Sequence, residues 1–109
     1  MEPTTQDQLE TMKKTIKQDV TDNKIVLFMK GNKQMPQCGF SAQVVTILND
    51  LAVDYETRDI LQDGVLRQAI KDFSDWPTLP QLYVDAEFIG GCDIITELYQ
   101  NGELKKFVS

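Results

Sequence analysis

Apolar residues mark the elements before any composition is considered. Leu9, Met12, Ile16 and Val20 recur at helical spacing, which predicts an amphipathic helix from Thr5 to Val20. The run Ile25 to Lys30, IVLFMK, is short, apolar and partly β-branched, as expected of a buried strand. Gly31 to Gln37 is a polar loop containing Pro36. From Phe40 to Leu51 the apolar residues Phe40, Val44, Ile47, Leu48 and Leu51 share one helical face. A second strand fits Val53 to Ile60, and a third helix follows with Leu66, Ala69, Ile70 and Phe73 on its buried side. Trp76 to Asp85, WPTLPQLYVD, carries two prolines and then a strand. Asp85 and Ala86 make a tight turn into a short strand from Glu87 to Ile89. Asp93 is an expected N-cap for a helix through Ile94, Ile95, Leu98 and Tyr99. Gly102 breaks that helix, and a last short helix follows.

The order α-β-α-β-α-β-β-α describes an α/β chain. It argues for a small central sheet covered by helices on both faces. A helix crosses between the first two strands, so these should be parallel. Residues 1–109 suit a single domain, with residues 1–20 as an N-terminal helix.

Composition then removes whole classes of function. Net charge is −6, with no basic face, so nucleic-acid binding is not expected. The chain has no histidine, which excludes Cys–His and Ser–His–Asp catalysis and histidine metal sites. Its two cysteines, Cys38 and Cys92, cannot supply the four thiolates of a structural zinc site. A reducing compartment is the simpler expectation. No apolar run approaches membrane-spanning length. The first 20 residues hold Glu2, Asp7, Glu10 and Asp19 but no arginine, so neither a transit peptide nor a secretory signal is expected. The expected location is therefore cytoplasmic, without membrane contact.

Cys38 is the centre of the candidate chemistry. It lies beyond the carboxyl end of the first strand, where open sheets usually bind ligands. It also opens the second helix, whose free N–H groups favour an anion, so thiolate character is expected. Gly39 permits close backbone approach, and Lys30 can direct a cation to the same spot. The residue four-letter group here is CGFS: Ser41 stands where a dithiol enzyme would place its resolving cysteine.

MKG at Met29–Gly31, CGFS at Cys38–Ser41, WPTLPQ at Trp76–Gln81 and GGCD at Gly90–Asp93 together resemble the monothiol glutaredoxins of the CGFS type. The similarity runs from about residue 25 to 105. It implies a thioredoxin-like fold with a four-stranded mixed sheet, glutathione binding, and carriage of iron–sulfur clusters. Carried over residue by residue, it places glutathione against Lys30, Cys38, Gly39, Phe40, Arg67, Leu79, Pro80, Cys92 and Asp93. Lys30 and Arg67 would meet the glycine carboxylate, Leu79 would offer backbone hydrogen bonds, and Pro80 would be the cis-proline. Cys92 and Asp93 would hold the γ-glutamyl end. Plainer roles stay open: a solvated Arg67, a surface Lys30, a small buried filler or disulfide partner at Cys92, and simple packing for Phe40 and Trp76.

A 2Fe-2S cluster wants four ligands, typically thiolates. Cys38 and one glutathione supply two, so two chains and two glutathiones complete the set. The expectation is a homodimer when cluster-bound, with Cys38 the protein's metal ligand. The resemblance adds a BolA-like protein and apo iron–sulfur client proteins as partners. It also implies that the long loop GNKQMPQ favours cluster binding over thiol exchange. The alternative is a glutathione-dependent oxidoreductase that removes glutathione from protein thiols with Cys38 alone.

Overall fold

The central strand is apolar on both sides, and that explains the layers. In the computed structural model, which describes residues 5–109, β1 (Ile25–Met29) is buried along its whole length. Ile25, Leu27 and Met29 face one core, packed with Val44, Ile47, Leu48, Ile95 and Leu104. Val26 and Phe28 face a second core with Ile16, Val20, Ala69, Ile70 and Tyr83. Alternation along one strand thus divides the helices between two faces. α1 (Gln6–Asp22) and α3 (Gly64–Ser74) cover the second core. α2 (Gly39–Asp50), α4 (Cys92–Gln100) and α5 (Glu103–Val108) cover the first.

The sheet has the order β2-β1-β3-β4, with β2 at Glu56–Asp59, β3 at Gln81–Val84 and β4 at Glu87–Gly90. β1 and β2 run parallel, and Val26 lies beside Glu56. β3 is antiparallel to β1 and forms a hairpin with β4 through Asp85 and Ala86, both at positive φ. The expected mixed four-stranded sheet with helices on both faces is present. The last short helix is α5.

The differences from expectation are local. α1 spans Gln6–Asp22, with Thr5 as its N-cap in a reciprocal bond with Gln8. Residues 1–4 of the expected N-terminal helix lie outside the described residues. β2 begins at Glu56 rather than Val53, because Tyr55 turns its ring into the core and donates to Asn49 Oδ1. Phe40 does not join the buried face of α2. It is 62% exposed, and the buried position of that first turn is taken by the next residue, Ser41. Asp93 is not the N-cap of α4. Gly91 is the cap, in extended backbone, and Asp93 is the second helical residue. A Cβ on Gly91 would stand 3.2 Å from Trp76 Nε1, so a larger residue at this cap would press on the Trp76 ring. Among the described residues, no helix is long and apolar enough to cross a membrane.

Candidate functional site

The loop after β1 is held at both ends. Gly31 has φ +87, and a Cβ there would lie 2.4 Å from the Met35 carbonyl oxygen. The chain folds back on this glycine, and Gln37 N–H returns to Lys30 O at 2.9 Å. One Asp59 oxygen accepts the N–H groups of Gly31 and Leu61, each at 2.9 Å. Lys33 Nζ donates to Tyr55 O at 2.7 Å and sits 4.7 Å from the centre of the Tyr55 ring. The segment GNKQMPQ is thus an anchored loop that delivers Cys38 to the start of α2.

Cys38 is the N-cap of α2, in extended backbone. Its thiol is half-exposed. Hydrogen bonding from the backbone N–H of Ser41 pulls its pKa below the ordinary thiol value. The Phe40 N–H, the Lys30 charge and the Ser41 hydroxyl act in the same direction, while partial burial opposes them. Ser41 itself is fully buried, and its Oγ accepts the Lys30 N–H at 3.2 Å. The fourth position of CGFS therefore joins the end of β1 to the first turn of α2.

Cys38 opens on a cleft of about 390 Å³. One wall is the segment Trp76–Leu79, whose Leu79–Pro80 peptide bond is cis. Beside it lies the start of α4, through Gly91, Cys92 and Asp93. Two helix N-termini, those of α2 and α4, meet this cleft and turn their positive dipole ends toward it. Lys30, Arg67 and Lys71 add three cations, and Asp93 adds one carboxylate. An acidic chain has built a local anion site. Leu79 makes no backbone or side-chain hydrogen bond among the described residues, so its N–H and C=O are free for a ligand.

Of the residues expected from sequence, Lys30, Cys38, Phe40, Arg67, Leu79, Cys92 and Asp93 all line this cleft. Pro80 is buried just behind it. Gly39 is exposed in the first turn of α2, and a Cβ there would meet nothing within 4 Å. Cys92 lines the cleft and packs, partly buried, against the first core. Burial raises its pKa, opposite to Cys38. Both cysteines are free thiols. Lys71 was missed, although it stands one helical turn after Arg67, a spacing that puts both on one face. The Ser41 bond carried no sequence signal, because its partner is backbone.

The comparisons agree with this geometry. A family model described as Glutaredoxin matches residues 25–89. A Synechocystis protein described as an uncharacterized monothiol glutaredoxin is 58% identical over 96 residues, covering 88% of this chain and 90% of that one. The solution structure of reduced poplar apo GrxS14 is 54% identical, with a TM-score of 0.77 over 87% of each chain. A buckwheat glutaredoxin–glutathione complex is 25% identical, with a TM-score of 0.85, covering 95% of this chain and 93% of that one. With a single cysteine in its CGFS segment, a thioredoxin-like sheet and a cis-proline beside the thiol, this chain belongs to the glutaredoxin family, among its monothiol members.

Proposed function

We propose that this protein binds glutathione in the Cys38 cleft and carries a 2Fe-2S cluster bridged between two protomers, for transfer to apo iron–sulfur proteins. The observation that carries the reading is Cys38 itself: a half-exposed, thiolate-favouring sulfur with no second thiol in its motif. Among the described residues, no group of three or more His, Cys, Asp or Glu is placed to hold a metal ion. One chain thus offers one good thiolate, and a cluster needs about four ligands. Cys92 is a poor candidate for another, because burial favours its neutral thiol.

The cleft suits glutathione by charge. Lys30, Arg67 and Lys71 match a carboxylate, the α4 N-terminus matches a second, and Asp93 matches an ammonium. Leu79 offers an unpaired N–H and C=O to the tripeptide backbone. Bound there, the glutathione thiolate stands as the second ligand beside Cys38. The cluster is cargo: two of its four ligands are exchangeable, which makes release to a client easy. A BolA-like protein is a further partner in this reading.

The lowered Cys38 pKa also favours a second reading, glutathione-dependent deglutathionylation. The Cys38 thiolate attacks the glutathione sulfur of a mixed disulfide, and the client thiolate leaves and takes a proton. A free glutathione thiolate then attacks that sulfur, releasing glutathione disulfide and restoring Cys38.

Anaerobic reconstitution with iron, sulfide and glutathione tests the first reading. Thiolate-to-iron colour co-eluting with a dimer is expected, and should vanish in Cys38→Ser and without glutathione. A colourless monomer that turns over a glutathionylated substrate would instead establish the second.

A further inference from the structure

Gln81 is a buried polar side chain with its amide N–H groups and its oxygen all hydrogen-bonded, and it does not line the open cleft. It is fully buried at the start of β3. Its Nε2 donates to two carbonyls of the cleft wall, Trp76 O at 3.1 Å and Thr78 O at 3.2 Å. Its Oε1 accepts from the Tyr83 hydroxyl at 3.2 Å. Tyr83 is locked among Phe28, Phe73 and Phe88 by ring contacts of 5.5–6.0 Å. Burial raises the Tyr83 phenol to about 12, so it remains a donor across the working pH range.

These bonds fix a segment that no regular secondary structure holds. Trp76 to Pro80 lies between the end of α3 and β3. Its carbonyls at Trp76 and Thr78 turn inward to Gln81, while Leu79 keeps its N–H and C=O unpaired at the cleft. A buried amide with both donors satisfied holds one backbone course, because losing either bond would strand a polar group.

We propose that Gln81 is a positioning residue for the ligand: by holding the carbonyls of Trp76 and Thr78 inward, it aims the free backbone groups of Leu79 at the peptide backbone of the bound thiol. This inference rests on glutathione as the occupant of the cleft. It assigns the last residue of WPTLPQ a role in affinity.

The test compares Gln81→Met with Tyr83→Phe. Gln81→Met keeps similar bulk but removes the amide, and Tyr83→Phe removes a buried hydrogen bond while leaving both Gln81 donors in place. Each protein is titrated with reduced glutathione by NMR, with thermal unfolding and the Cys38 thiolate absorbance followed against pH. Binding by the wild-type protein first establishes the occupant; no binding there removes the glutathione reading and this inference with it. Gln81→Met should then weaken binding about tenfold. Tyr83→Phe should stay within about twofold of wild type although it too loses stability. Cys38 should titrate alike in all three, because Gln81 is not among the groups that shift it. Equal affinity in wild type and Gln81→Met would overturn the proposal, as would equal losses in the two variants. If Gln81→Met does not fold, Gln81→Asn decides: the shorter amide should weaken binding more than Tyr83→Phe does, and wild-type affinity would overturn the role.

Discussion

The Ser41 hydroxyl accepts the backbone N–H of Lys30 at 3.2 Å and at the same time lowers the pKa of Cys38. One buried side chain thus welds the end of β1 to the start of α2 and favours the thiolate between them. Ser41→Ala removes both effects. It should cost about 1–2 kcal/mol in urea unfolding, since the Lys30 N–H loses its acceptor. The Cys38 pKa should rise, yet stay below the ordinary thiol value, because the Ser41 N–H, the largest contributor, remains.

The two cysteines should separate by pH. Cys38 is shifted down, first by hydrogen bonding to the Ser41 N–H, and Cys92 is shifted up, first by burial. Alkylation followed by mass spectrometry should therefore show Cys38 reacting with a midpoint below pH 9.0 and Cys92 with one above it. The stability linkage has opposite signs. The depressed Cys38 contributes stability in full above its unfolded value, and loses it as pH falls through the folded value. The raised Cys92 contributes in full below its unfolded value, and loses it as pH rises through the folded one. Equal alkylation midpoints would contradict both assignments.

Charge in the cleft should control glutathione affinity. Lys71→Ala and Arg67→Ala should each weaken binding by about two- to fivefold, because these are solvent-facing contacts. The losses should shrink at high salt, which screens exposed pairs. A calorimetric titration at two ionic strengths measures both; wild-type affinity in the double variant would remove these cations from the site.

The loop before Cys38 should tolerate no side chain at its hinge. Gly31→Ala sets a Cβ at φ +87 within 2.4 Å of the Met35 carbonyl oxygen, and that atom is backbone. A loss of about 1–3 kcal/mol is expected from thermal unfolding. Gly39→Ala, where a Cβ meets nothing within 4 Å, should fold about as well as wild type and serves as the control.

Besides its apolar packing on the second core, α1 is joined to β2 by an ion pair between Asp19 and Arg58. Arg58 Nε and Nη2 donate to the two Asp19 oxygens at 2.7 and 2.8 Å. Arg58→Met should cost about 0.5–1 kcal/mol after allowance for its partial exposure. Proteolysis should then cut first near the start of α1, and an unchanged cleavage pattern would count against the tie.

Local chemistry alone determined much of this protein. Five successive apolar residues at Ile25–Met29 demand cover on both faces, so a central strand and a two-sided helical coat are legible without coordinates. The hairpin at Asp85–Ala86 is likewise local, since a turn depends on its own few residues. Cys38 before a helix, after a strand, was readable for the same reason. Tertiary structure decided what depended on distant neighbours. Phe40 fits the helical period of α2 and yet stays exposed, because period says nothing of what packs against the end of a helix. Asp93 has the chemistry of a cap, but α4 starts two residues earlier, at the Gly91 cap, and Asp93 lines the cleft instead. Lys71 joins Lys30 across the fold, and Gln81 reaches two carbonyls of a loop. Side-chain pattern records which face of an element is apolar; only packing sets which backbone groups are left for a buried amide, a hydroxyl or a ligand to satisfy.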